Sequence, residues 1–168
     1  NDIKLFFFFF FALNDAGIAA WDCKEYYDYV RPVSLIRHLY NEQQPEAWGG
    51  PCQDTKAIKG EEWMPYLVGT PPFAEYVSGH STFSKAAAYI FKAFCQSNDY
   101  GESVTIPAGG SRVEKNCPKG PVPATDIVLQ WATFDEAAEE AGMSRLYGGI
   151  HFMDGNLNGR KLGEKVGE

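Results

Sequence analysis

Residues 76–83 read Tyr-Val-Ser-Gly-His-Ser-Thr-Phe, and a helical pattern begins inside this stretch. Apolar residues recur at helical spacing from Phe83 through Ala87 to Phe94, so the sequence predicts a helix over residues 81–96. A glycine beside a histidine where a helix begins lets backbone N–H groups approach an anion closely. The stretch therefore predicts a central helix whose first turn carries chemistry.

Helical patterns dominate the rest of the chain, and strand-like alternation is limited to residues 103–106. The further predicted helices cover about 2–27, 32–42, 126–147 and 152–166. Pro32 suits the first turn of a helix, and Thr125 is the expected cap of the helix that follows it. Most Pro and Gly residues lie in two long loops, about 43–77 and 97–124. The predicted fold class is all-α, a helical bundle with two long irregular loops.

Length and charge restrict the function. A chain of 168 residues with 45% hydrophobic content is expected to form a single domain over residues 1–168. The net charge of −7 argues against a nucleic-acid partner. The apolar run from Leu5 to Leu13 is shorter than a bilayer requires, so we expect no membrane span. Because the chain opens directly in a helical pattern, we expect it to be the C-terminal part of a longer chain.

The four cysteines show no CxxC spacing, so the sequence does not predict a zinc site. Cys52 and Cys117 lie in loop-like stretches, and we expect a disulfide between them that ties the two long loops together. Cys23 and Cys95 lie in helical patterns and are expected to be buried thiols. A disulfide favours an oxidising compartment, so the expected location is secreted or extracytoplasmic.

Three short segments carry most of the unusual chemistry. They are Lys24-x6-Arg31-Pro32, Ser78-Gly79-His80 and Ser144-Arg145-x5-His151. Taken singly, each has an ordinary explanation, such as a surface charge or a histidine at a helix end. Together they supply three positive charges, a hydroxyl group, helix N–H groups and two histidines, which is the composition of an oxyanion site.

In this order and spacing the segments resemble the signature shared by two groups of proteins. These are the vanadium-dependent haloperoxidases and the type 2 phosphatidic acid phosphatase superfamily, which includes bacterial acid phosphatases. The match runs from Lys24 to His151 and is far more specific than a single motif. The resemblance implies an all-α bundle with the site between its central helices.

The resemblance also implies a role for each matched residue. The oxygens of vanadate or phosphate would be held by Lys24, Arg31, Ser78, Gly79 and Arg145. His151 would be the axial ligand to vanadium, or the nucleophile of a phosphatase. His80, acting with Lys24 and Arg145 in catalysis, would be the acid–base group that helps to remove a proton from hydrogen peroxide. Lys24 would then polarise the oxygen that the halide attacks.

Two positions depart from the family pattern. Val77 stands where a proline usually precedes Ser-Gly-His. The pattern also has an aspartate four residues after the last histidine, where this chain has Gly155, with Asp154 one residue earlier. In phosphatases that carboxylate supports the nucleophilic histidine, so its displacement weighs against a phosphatase. Asp154 lies on the same side of a helix as His151 and is the expected substitute.

Two aromatic residues favour the haloperoxidase. Trp21 lies three residues before Lys24, and Phe73 lies five before Ser78. Chloro-type haloperoxidases resemble this, with a tryptophan and a phenylalanine at those offsets near the halide. An apolar wall strengthens the attraction between a halide and nearby positive groups. Ordinary core packing is an equally good explanation in so aromatic a chain.

The expected function is that of a vanadate-dependent haloperoxidase, which oxidises halide with hydrogen peroxide to hypohalous acid and passes it to a small organic acceptor. A soluble acid phosphatase with a histidine nucleophile is the alternative, and a non-catalytic oxyanion-binding module would not need a second histidine. Vanadate is the expected cofactor, and the residues give no indication of calcium. The family has further helices upstream, so we expect a homo-oligomer or an N-terminal section to complete the core.

Overall fold

Residues 2–168 are described by the structure, a computed structural model. The helices among them are α1 (Asp2–Tyr27), α2 (Pro32–Leu39), α3 (Gly79–Cys95), α4 (Phe134–Tyr147) and α5 (Met153–Gly167). The strands are β1 (Glu46–Trp48), β2 (Thr55–Ala57), β3 (Asp99–Ile106) and β4 (Ile127–Thr133). The predicted all-α class is confirmed, because the strands form only two small antiparallel pairs, β1 with β2 and β3 with β4.

The predicted helix over residues 126–147 is wrong in its first half. Ile127 to Thr133 form β4, in which Leu129 pairs with Val104 of β3. The apolar, partly β-branched run Ile-Val-Leu suits an extended strand, and cross-strand pairing outweighs its weak helical pattern. Helix α4 begins at Phe134, where Thr133 and Glu136 form a capping box, so Thr125 is not its cap.

Helix α3 lies at the centre and packs against α1, α4 and α5. Its contacts with α1 and α5 depend on small side chains. On α1, Ala16 and Ala20 are completely buried. On α5, a Cβ atom at Gly163 would lie 2.2 Å from the carbonyl oxygen of Thr82, so only glycine allows this approach. The helix backbones therefore meet closely, which holds the first turns of α3 and α5 side by side.

Helix α1 presents an apolar surface on the face opposite α3. Phe6, Phe7, Phe10 and Ile18 are each more than half exposed, whereas Phe9 packs on Phe91 of α3 with ring centroids 5.2 Å apart. The helical stretch Asp2–Leu39 is long and apolar enough to cross a membrane by length and composition alone. The expectation of no membrane span stays a prediction, because the core helix of a globular protein and a signal sequence meet the same criterion.

The structure joins Cys52 and Cys117 in a disulfide that links the segment between β1 and β2 to the loop between β3 and β4. The expectation of two buried thiols is wrong for Cys95, which is exposed at the last residue of α3. Cys23 is partly buried on α1.

Candidate functional site

The first turn of α3 is held in place by Ser78. This residue is fully buried and caps the helix, since its Oγ accepts a hydrogen bond from the backbone N–H of Ser81 at 3.4 Å. Its own backbone N–H donates to the carbonyl oxygen of Gly155 at 2.9 Å, which ties the start of α3 to the start of α5. Gly79 and His80 therefore occupy a fixed helix N-terminus, where the helix dipole favours an anion.

A cavity of about 390 Å³ opens at this N-terminus. Its lining includes residues from the second and third sequence segments and both aromatic residues predicted beside the site: Gly79, His80, Arg145, His151, Trp21 and Phe73. The fold thus brings together residues that lie up to 130 positions apart, from Trp21 to His151.

Arg31, in the loop between α1 and α2, contacts three residues that line the cavity. Its Nε donates to the carbonyl oxygen of Phe73 at 2.9 Å, and its Nη1 donates to the carbonyl oxygen of Ile150 at 2.8 Å. Nη1 also lies 3.1 Å from Nε2 of His151. Across residues 2–168, Nη2 of Arg31 is the one buried side-chain nitrogen or oxygen without a hydrogen-bond partner. A buried donor left unpaired is costly, so this atom suits an anionic oxygen.

His151 is buried between the guanidinium of Arg31 and the carboxylate of Glu75. Its Nδ1 lies 2.6 Å from Oε1 of Glu75, and the same carboxylate oxygen accepts the backbone N–H of Phe152 at 3.0 Å. Burial lowers the pKa of His151 below its usual value, and the Arg31 charge lowers it further, against the opposing effect of Glu75. The imidazole is therefore neutral at pH 7 and has a nitrogen lone pair to offer.

Lys24 is buried, and its ammonium group is fully engaged by the loop before α3. Nζ donates to the carbonyl oxygens of Ala74, Glu75 and Val77 at 2.9, 3.0 and 2.5 Å. Burial, followed by the Arg31 charge, lowers the pKa of Lys24 to about 8, so it still carries its charge at pH 7. In this structure Lys24 holds the loop and contributes positive charge, and direct contact with an oxyanion stays a prediction.

His80 and Arg145 form the opposite, more open wall. His80 is exposed, and its pKa is lowered, first by partial desolvation and then by the charge of Arg145. Nε of Arg145 donates to Oγ of Ser144 at 3.0 Å, so the guanidinium is oriented by its own helix. A neutral histidine with access to solvent is suited to accept and release protons.

Trp21 and Phe73 pack together at the cavity rather than in the core. Their ring centroids are 5.2 Å apart, and both side chains are more than 40% exposed. Nζ of Lys24 lies 5.3 Å and Cζ of Arg31 lies 5.1 Å from the Phe73 ring centroid. Two buried cations thus lie behind an aromatic wall, which favours a weakly hydrated anion on this side.

Sequence reasoning missed Glu75. The expected substitute, Asp154, is wrong as a support for His151, because it is exposed and its Oδ1 accepts from Nδ2 of Asn158 at 2.7 Å. Glu75 is instead the carboxylate on His151. A signal was present in the sequence, since Glu75 is an acidic residue within the apolar run before Ser78, in a chain with glycine at position 155.

Away from the cavity, Glu114 lies close to the sulfur atoms of Cys52 and Cys117, a grouping that resembles a metal site. Because the two sulfurs are joined, they offer no thiolates to a metal. The Glu114 carboxylate instead accepts hydrogen bonds from the indole of Trp48 and the backbone N–H of Cys52, so it stabilises the loop.

Comparison with known proteins identifies the group to which this arrangement belongs. Residues 4–168, nearly the whole chain, match the family model described as VCPO second helical-bundle domain, where VCPO denotes vanadium chloroperoxidase. The chain belongs to the vanadium haloperoxidase family. No curated protein matches it significantly.

Solved structures of vanadium haloperoxidases resemble the chain closely in fold. The holo and apo forms of a bacterial vanadium-dependent chloroperoxidase are each 31% identical, with a TM-score of 0.85 over 93% of this chain. A bacterial vanadium-dependent iodoperoxidase is 29% identical, with a TM-score of 0.62 over the same share. The chain spans about a third of the length of these proteins: 32%, 33% and 30%.

Proposed function

We propose that this chain carries the catalytic site of a vanadate-dependent haloperoxidase, which converts hydrogen peroxide, halide and a proton to hypohalous acid and water. The observation that carries the proposal is the unpaired, buried Nη2 of Arg31, on a guanidinium whose Nη1 lies 3.1 Å from Nε2 of His151. A tetrahedral oxyanion would accept from this donor, and Nε2 of His151 would hold it once its lone pair is released from Nη1 of Arg31. Membership of the vanadium haloperoxidase family and the vanadium-dependent relatives support vanadate as that oxyanion.

The residues of the cavity fit vanadate. Arg31 and Arg145 offer guanidinium donors, Ser78 and Gly79 lie at the α3 N-terminus, Lys24 adds a buried charge, and His151 offers Nε2. The chemistry that vanadate supplies when bound is the activation of hydrogen peroxide towards two-electron oxidation of halide.

His80 accepts a proton from the incoming peroxide at a ring nitrogen and returns it to the water that leaves. Trp21 and Phe73 exclude water from the side on which halide arrives.

A phosphatase is the second candidate, because one observation favours it. A carboxylate on Nδ1 of His151 is the arrangement that orients a nucleophilic histidine towards phosphorus. The same cavity would then bind a phosphate monoester, with His80 protonating the leaving group.

An extracytoplasmic location is also proposed. Its support is the disulfide between Cys52 and Cys117, since such bonds persist mainly in oxidising compartments.

Reconstitution tests the function. The purified protein is freed of oxyanions, orthovanadate is added, and bromination of a phenol dye by hydrogen peroxide is measured alongside hydrolysis of a phosphate monoester. Vanadate-dependent bromination that excess phosphate suppresses is the expected result. Hydrolysis without bromination would establish the phosphatase, and oxyanion binding without either activity would leave a binding module.

A further inference from the structure

The Glu75 carboxylate occupies the space that a side chain at position 155 would fill. An ideal Cβ atom on Gly155 would lie 2.3 Å from Oε1 and 2.7 Å from Oε2 of Glu75. Both residues are buried, and the Glu75 side chain is 1% exposed. The structure therefore places the Glu75 carboxylate, which comes from the loop before α3, where the first atom of a side chain at position 155 would lie.

The contacts of His151 determine its tautomer. A guanidinium has only donors, so Nη1 of Arg31 donates to Nε2 of His151, which must be unprotonated. The ring proton of a neutral imidazole is then on Nδ1, and it is donated to Oε1 of Glu75 at 2.6 Å. The carboxylate also accepts the N–H of Phe152, which fixes its own orientation against the backbone that carries the histidine.

Glu75 is itself rigidly held. Its backbone N–H donates to the carbonyl oxygen of Tyr29 at 2.9 Å, and its carbonyl oxygen accepts from Nζ of Lys24 at 3.0 Å. Its buried negative charge faces the charges of Lys24 and Arg31, which offset the cost of removing a carboxylate from water.

We infer that Glu75 is the positioning residue of His151 and replaces a carboxylate at position 155. It fixes the ring orientation and, together with the Arg31 donor on Nε2, keeps the proton on Nδ1, so that the Nε2 lone pair faces Arg31. A carboxylate on the far nitrogen of a ligating histidine acts in this way at metal centres. The inference rests on the proposed function, because presenting Nε2 matters only to an oxyanion held there.

The first test needs no cofactor. Ring-nitrogen NMR of histidine-labelled protein should show Nδ1–H and unprotonated Nε2 at His151 in the parent. Glu75→Gln keeps an acceptor and should keep this tautomer, whereas Glu75→Ala should shift the ring towards the Nε2–H form or a mixture. A matched control is Glu114→Gln, a partly buried glutamate outside the cavity, which should change no His151 signal. A folded Glu75→Ala protein with an unchanged tautomer would overturn the inference.

The second test moves the carboxylate back to α5. Vanadate affinity should fall about 10- to 100-fold in Glu75→Ala, the usual effect of losing such a partner, and should recover in part in Glu75→Ala/Gly155→Asp. Gly155→Asp alone should destabilise the fold, because its Cβ meets Glu75. A folded double variant no better than Glu75→Ala would also overturn the inference. If the parent binds no vanadate, the proposed function fails, and the NMR comparison alone decides the role of Glu75.

Discussion

The two histidines of the cavity lie in opposite surroundings. His151 is 7% exposed and held on both ring nitrogens, by Glu75 on one side and Arg31 on the other. His80 is exposed in the first turn of α3. A group that ligates must hold one orientation, whereas a group that exchanges protons needs access to water. The difference supports the proposed division, in which the His151 wall binds the oxyanion and the His80 wall transfers protons, and the predictions below test that proposal.

The largest expected effect is that of His80→Ala on the rate. Loss of a general acid–base group should lower the peroxide-dependent rate by about 10²- to 10⁴-fold while vanadate affinity stays near that of the parent. Steady-state rates and vanadate titrations measure the two quantities separately. His38→Ala is the matched control, because His38 is exposed at the end of α2 and does not line the cavity. An unchanged rate in His80→Ala would show that His80 is not the proton-transfer group.

Arg31→Lys should weaken binding on the other wall. Lysine keeps the charge but lacks the two forked Nη donors, and one hydrogen bond to a charged group contributes about 1.5–3 kcal/mol. Vanadate affinity should fall about 10- to 100-fold, which equilibrium titration measures, with circular dichroism to verify folding. The control is Arg37→Lys, since exposed Arg37 bonds only the carbonyl oxygen of Trp63 among the described residues. Equal losses in both variants would contradict a specific role for Arg31.

Stability should depend on pH through the same two groups. Burial lowers the pKa of both His80 and His151 in the folded protein, so the unfolded chain, with an ordinary value near 6.5, takes up protons first as pH falls. The free energy of unfolding should therefore decrease as pH falls below about 6.5 and level off below the folded pKa values. Urea midpoints measured from about pH 7.5 downwards should show a shallower decrease in His80→Ala than in the parent. An identical decrease would show that His80 does not contribute.

The disulfide should have the smallest effect on the cavity. The Cys52→Ser/Cys117→Ser protein should lose about 2–4 kcal/mol of unfolding free energy, because the unfolded chain without the cross-link has more conformational entropy. Vanadate affinity should stay unchanged, since neither cysteine lines the cavity. Cys95→Ser, at an exposed free thiol, is the control and should change stability by less than about 0.5 kcal/mol. A large loss of affinity in the double variant would show that the loops shape the site.

Local signals in the sequence were sufficient for most of the fold. The bounds of α1 follow from its long apolar pattern, and α3 begins within two residues of its predicted start at Ser81. The error at Ile127–Thr133 has a physical cause, because strand formation there depends on β3, a partner more than 20 residues away.

The sequence predicted only those residues of the candidate site that belong to the three recognisable segments. Arg31, His80 and His151 were identifiable by spacing; the two histidines line one cavity, and Arg31 contacts His151 from behind it. Glu75 acts through a contact across 76 positions, and no spacing rule links it to His151. The signals in the sequence were indirect: the glycine at 155 and the acidic Glu75 within the apolar run before Ser78.

The three hydrogen bonds of Lys24 couple the cavity to the docking of α1. They connect the last turn of α1 to the carbonyl groups of the loop before α3, so any opening of that turn leaves the carbonyl groups without this partner. We therefore expect that a bound oxyanion, by stabilising the closed arrangement, slows hydrogen exchange in the last turn of α1.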